Sequence, residues 1–182
     1  ITSHPSADRL DSSSHAPPPS EEGVARGTLG SPSRTAKGDG GLGWSLRASG
    51  SCLIPGSASD MSWTVGDRGF EMTLSRRVPG LIAAHLRPWI ESWLGDNGLS
   101  LADVRSWAVH PGGPKIVSAV EEALALPAEA LAPSRAVFAE YGNMSSPTVL
   151  FILQRLRAAD APRPCVALGF GPGLVAEAAL FV

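Results

Sequence analysis

Cysteine is scarce in this chain: Cys52 and Cys165 are the only two. A pair so far apart makes neither a disulfide framework nor the short spacing of a metal knuckle. Free thiols of this kind fit a reducing compartment. An excess of positive charge is missing as well. Lys and Arg number 15 against 17 Asp and Glu, for a formal net charge of −2. A basic surface for nucleic acid is therefore not expected. No apolar run approaches the roughly 18 residues that span a membrane, and the first residues lack the apolar core of a secretory signal. These absences point to a cytoplasmic protein with no membrane partner. The chain opens on Ile1 with no methionine before Met61, so an unusual start or a missing front portion is expected.

Aromatics are absent before Trp44, where Ser, Gly and Pro dominate. "DSSSHAPPPSEEG" and "GSPSRTAKGDGGLG" show neither a period of 2 nor one of 3.6. Residues 1–50 read as a low-complexity segment, disordered or mis-specified to about Lys37, with His4 and His15 as bystanders. Residues 51–182 read as one domain, and 43% apolar residues suit a packed core.

In that second part the texture changes. "GFEMTLS" alternates as a strand does, and Leu81, Ile82, Leu86, Trp89, Ile90, Trp93 and Leu94 recur at helical spacing. Pro79 and Gly80 mark that helix's start, Asp96-Asn97-Gly98 its stop, and Pro88 predicts a kink. His85 inside it reads as a solvated or satisfied histidine. "VRSWAVH" reads as a buried strand, and "GPKIVSAVEEALAL" as a helix. "SRAVFAEYGN" leads through a loop into the helix of "SSPTVLFILQRLRAA", with Ser145 or Ser146 as its N-cap. The end, "CVALGFGPGLVAEAALFV", reads as strand, glycine turn, strand. Strands alternating with helices predict an α/β layered domain.

Three motifs carry chemistry. His110 in "WAVHPGGPKI" directly follows a strand, and Gly112 and Gly113 remove side chains that would crowd its ring. The helix after it turns its positive end toward the same place, which suits an anion or a thioester oxygen. A packed histidine at a strand end is the plain alternative to an acid–base role, for which His is the commonest residue. In "EYGNMSS", Asn143 stands just before a helix N-terminus, so its amide beside a histidine nitrogen could hold a carbonyl oxygen as it becomes an enolate. An Asn in an Asx turn is the competing reading. "GFGPG", Gly169 to Gly173, fails as a dinucleotide fingerprint because Leu174 holds the sixth place. A tight turn between strands accounts for it better.

Taken together, "HPGGPKI", "EYGNMSSPTVLFIL" and "GFGPGL" resemble, in order and spacing, the C-terminal half of the type III polyketide synthases, the chalcone and stilbene synthase family. "GDRGFEMTLSRRVPGLI" resembles the segment preceding them, so the likeness runs from about Pro55, or from "KGDGG" at Lys37, to Val182. Ketoacyl synthases of the initiating type share the His/Asn logic but lack "HPGG" and come second.

The resemblance implies the C-terminal half of a thiolase-like αβα fold and an acyltransferase. It would condense malonyl-CoA, after decarboxylation, onto an acyl-CoA starter, with CoA thioesters as substrates and no cofactor or metal. His110 and Asn143 would bind the malonyl thioester carbonyl and stabilise the carbanion, and His110 as imidazolium would support a thiolate. Met72 falls where chalcone synthases carry a gatekeeping phenylalanine, and Met is an apolar but flexible substitute. Lys115 would lie beside the CoA tunnel, with a solvated lysine as the equal alternative. Ser145, Gly171 and Pro172 would line the cavity.

The family's nucleophilic cysteine sits in an N-terminal half that nothing in this sequence matches. Cys52 reads as a loop residue and Cys165 as a core thiol. A cysteine-bearing half in cis or in trans is therefore expected, with a homodimer for the complete enzyme. This half alone would be inactive and would expose an apolar face. A truncated or frame-shifted synthase, one half of a split synthase, and a non-catalytic CoA-thioester or partner-binding module all remain open.

Overall fold

The computed structural model describes residues 43–182. The disorder expected of residues 1 to about 37, with His4 and His15, lies outside the described residues. Strand β1 spans Leu46–Leu53, β2 Met61–Gly66 and β3 Gly69–Leu74. Helix α1 (Val78–Asp96) leads to β4 (Ser106–Val109), then α2 (Pro114–Leu124). Helices α3 (Ala132–Tyr141) and α4 (Pro147–Ala158) follow, and β5 (Cys165–Gly171) and β6 (Val175–Phe181) close the chain.

Four strands form one sheet in the order β1-β6-β5-β4. β4 and β5 run parallel, while β6 is antiparallel to both β5 and β1. Alternation along these strands sends side chains to two separate cores. Trp107, Val109, Val166, Leu168, Ala178 and Leu180 face α1 and α2. Ala108, Cys165 and Ala167 face the opposite side, against Val137 of α3 and Ile152 and Leu156 of α4. The expected α/β layering is therefore present as helices, sheet, helices.

Helix α1 earns its place through one apolar stripe: Val78, Ile82, Leu86, Ile90, Trp93 and Leu94 are all buried. It continues as a single helix through Pro88, which is exposed and faces solvent together with Ala84, whose carbonyl loses its helical donor there. Asn97 ends it as expected, its side-chain amide donating to the Trp93 carbonyl (2.8 Å), and Gly98 takes a φ of +71°. Trp93 lies against β1 where Gly50 leaves room. A Cβ there would fall 2.5 Å from the indole Nε1.

Two expectations need correction. Cys52, read as a loop residue, is inside β1 opposite Ala176, and the boundary read between residues 50 and 51 falls within that strand. "SRAVFAEY", which carried no expected element, lies in the helix α3. Ser146 holds the N-cap position of α4, one of the two expected, but makes no side-chain capping bond. Instead Ser145 has a φ of +62°, and Thr148, fully buried, accepts a hydrogen bond from the Met144 N–H (2.9 Å).

β2 and β3 form a separate two-stranded arm. Its register pairs Met61 with Leu74, Trp63 with Met72 and Val65 with Phe70, so one face is wholly apolar. Ser62, Thr64, Glu71 and Thr73 make the other face. The apolar face is open: from Leu74 at 49% to Val65 at 78%, its outer five residues are exposed.

Candidate active site

The last ladder position between β4 and β5 pairs Val109 with Leu168. His110 follows at once, its N–H donating to the Leu168 carbonyl (2.7 Å). The backbone of His110 is thus an extension of the sheet, while its ring stands at the C-terminal edge of two parallel strands. Ligands bind outside the carboxyl ends of such strands in open α/β sheets. Gly169 lies beside it: a Cβ there would sit 3.9 Å from the Cβ of His110.

Two contacts hold the strand end in place. The N–H of Val109 points away from β5 and donates to Ser134 Oγ of α3 (3.0 Å), a side chain with no exposed surface. After His110 the chain turns sharply, the Gly112 N–H donating to the His110 carbonyl (3.1 Å). Gly113 is extended, and nothing lies within 4 Å of a Cβ built on it. The room left by that glycine therefore opens outward, away from the chain's own packing.

Asn143 reaches this turn from the other side. Its Nδ2 donates to the Gly112 carbonyl (3.3 Å), and its Oδ1 accepts the Ser145 N–H (2.8 Å). The second bond is the Asx turn that the sequence offered as the plainer reading, and the first joins that turn to the His110 loop. An amide nitrogen carries two hydrogens, so one remains beyond the Gly112 contact.

His110 is half-buried, and burial pushes its pKa below the ordinary histidine value of 6.5. In this chain the ring is therefore biased toward neutral imidazole. A neutral ring still offers one N–H donor. The two thiols stand apart from this centre. Cys165 is fully buried in the α3/α4 core, and its pKa is pushed up to about 11 by burial. Burial also raises Cys52, half-covered within β1. Neither is poised as a thiolate.

The remaining expected residues lie on four other segments of the fold. Lys115 is exposed at the start of α2, and Ser145 is exposed beside Asn143. Gly171 ends β5, and Pro172 is exposed in the turn that follows. Met72 lies on the apolar face of the arm, which that same turn contacts: the Gly173 N–H donates to the Met61 carbonyl (2.6 Å). Among the described residues, no group of three or more His, Cys, Asp or Glu side chains converges as a metal site requires.

Sequence reasoning passed over two residues of this neighbourhood. Trp63 is the direct cross-strand partner of Met72 and meets Phe70 edge to face, ring centroids 5.8 Å apart. The alternation of Met61, Trp63 and Val65 before Gly66 and Gly69 is a hairpin signal that could have located it. Ser134 had no such signal, because a single buried serine in a helix has no pattern.

A family model described as Chalcone and stilbene synthases, C-terminal domain, matches residues 45–182. The chain is 37% identical over 140 residues to the alpha-pyrone synthesis polyketide synthase-like Pks18 of Mycobacterium tuberculosis, covering 75% of this chain and 36% of that protein. It is 36% identical over 141 residues to the 1,3,6,8-tetrahydroxynaphthalene synthase of Streptomyces peucetius, covering 75% and 37%. Among solved structures, PKS-I of the brown alga Ectocarpus siliculosus matches with a TM-score of 0.76 at 29% identity, over 81% of this chain and 41% of that one. The 1,3,6,8-tetrahydroxynaphthalene synthase of Streptomyces coelicolor A3(2), a bacterial type III polyketide synthase, matches with a TM-score of 0.71 at 34% identity, over 79% and 42%. The chain thus spans about two fifths of the length of these relatives.

Proposed function

The chain belongs to the chalcone and stilbene synthase family, carrying its type III polyketide synthase C-terminal domain in a thiolase-like fold, and on that premise we propose that it supplies the decarboxylation centre of a polyketide-forming acyltransferase. The observation that carries this is the junction of two turns: Asn143 donates to the loop that presents His110, so both donors stand at the end of β4.

In the proposed step a malonyl thioester places its carbonyl oxygen between a His110 N–H and the remaining Asn143 N–H. The bond from C2 to the carboxylate breaks and carbon dioxide leaves. The electron pair passes into an enolate whose oxygen the two donors hold. The enolate carbon then attacks an acyl group on a cysteine thioester and expels the thiolate. That cysteine is neither Cys52 nor Cys165, whose thiols burial keeps protonated. It comes from a cysteine-bearing half of the same fold, in cis or on a partner chain. Neutral His110 can play the donor part directly. An adjacent thiolate would add a charge that restores its imidazolium form.

The outward space at Gly113 leaves room for substrate beside the ring. Lys115 contributes a cation where a CoA phosphate would pass. Met72, Ser145, Gly171 and Pro172 form parts of the cavity wall. Starter identity then follows from cavity shape, which Met72 and its neighbours modify.

Asn143→Ala tests the donor pair. With the cysteine-bearing half present, malonyl-CoA decarboxylation should fall about 10²–10³-fold, as removal of one such donor does. A rate within a factor of two of the unmodified protein would remove Asn143 from the mechanism.

A further inference from the structure

A two-stranded ribbon is marginal on its own, and the β2–β3 arm contacts the body of the domain through its base. Asp60 immediately precedes β2 and Arg77 lies three residues beyond β3, so the two ends of the arm meet there. The Ser75 N–H donates to the Asp60 carbonyl (2.7 Å), and the Asp60 N–H to the Ser57 carbonyl (2.8 Å). Ser57, itself fully buried, donates to the Ile54 carbonyl (2.6 Å) and lies 3.3 Å from the Gly173 carbonyl. The base of the arm is in this way stitched to the glycine turn of residues 171–174.

One feature of this base is unaccounted for by packing. The Asp60 side chain is 4% exposed, and its Oδ2 has no hydrogen-bond partner. A buried carboxylate is unfavourable without a compensating charge. The charge comes from Arg77, 67% exposed, whose Nη1 stands 3.5 Å from that oxygen. At this distance the contact acts through charge rather than as a directed hydrogen bond.

We propose that Asp60 and Arg77 are positioning residues, a latch across the base of the arm that fixes the angle at which the arm, with Trp63, Phe70 and Met72 on its apolar face, leaves the glycine turn. The latch depends only on the contacts described. Its consequence for substrate choice rests on the reading of Met72 as cavity wall: a fixed arm favours one acyl length, and a loosened arm accepts several.

Hydrogen exchange followed by mass spectrometry on the 182-residue chain tests the latch without any activity. Arg77→Gln leaves the buried carboxylate unpaired, so amides of residues 61–74 should exchange about tenfold faster or more, with α1, β5 and β6 unchanged. Arg77 is a surface residue, so this variant keeps the core. Asp60→Asn should act in the same direction, and Arg77→Lys, which preserves charge, should restore slow exchange. Unchanged exchange in the arm, or a rise spread evenly over the chain, would overturn the proposal. In the protein combined with its cysteine-bearing half, Arg77→Gln should broaden the range of acyl-CoA lengths used while malonyl-CoA decarboxylation stays constant. If the unmodified protein shows no decarboxylation, the site reading fails while the exchange result still decides the latch.

Discussion

At the scale of single residues, the centre is built from side chains whose work is to hold backbone. Ser134 spends its buried hydroxyl on the N–H of Val109, one residue before His110. Removing it leaves that N–H buried and unpaired, which costs about 1–3 kcal/mol. Ser134→Ala should lower the urea midpoint of the chain accordingly with no change in m-value, and Ser134→Thr should recover most of it. His110 gives a pH signature. Burial lowers its folded pKa, so as pH falls the unfolded chain takes up the proton first. Its contribution is fully present above the ordinary value of 6.5 and is lost as pH falls below it. An NMR titration of the imidazole should give a midpoint under 6.5; one at or above it would contradict the burial argument. His110 and Asn143 were legible from sequence because each sits in a turn whose glycines and helix start leave a pattern. The neutral bias of the ring was not legible, since burial comes from residues distant in the chain.

Among the elements, those with regular apolar spacing were the readable ones. α1, α2, β4, β5 and β6 each declare a buried face, and the structure places them as expected. β1 declared little: Arg47, Ser49, Gly50 and Ser51 are not strand formers. Its pairing with β6 along seven registered positions, not its own propensity, makes it a strand. α3 was missed because Ser134 and Val137 are its only fully buried residues, too few for a stripe. The β2–β3 arm is the opposite case, a strong pattern whose apolar face stays uncovered. A patch of this kind favours association. The double variant Trp63→Ser/Phe70→Ser should reduce concentration-dependent self-association in sedimentation velocity. Its unfolding free energy should change by less than about 0.5 kcal/mol, because exposed side chains add little to folding. Undiminished association would place the sticky surface elsewhere.

On the scale of the molecule, a single sheet with helices on both faces brings three distant motifs to one edge. "HPGG" follows β4, "GNMSS" precedes α4, and "GFGPG" joins β5 to β6. Parallel pairing of β4 with β5 sets His110 next to Gly169, and the arm leans on the glycine turn. No local pattern encodes that convergence; it follows from strand order. The described part of the chain covers about two fifths of its relatives, and its site opens away from its own core at Gly113. The proposed function gives this chain two carbonyl-binding donors while burial raises the pKa of both its thiols, which suits one half of a shared reaction. Release of carbon dioxide from malonyl-CoA, measured with the cysteine-bearing half present, tests this most directly. The rate should fall at least about 10²-fold in His110→Ala, in a variant whose circular dichroism matches the unmodified chain. Carbon dioxide release at an undiminished rate from His110→Ala would contradict the account.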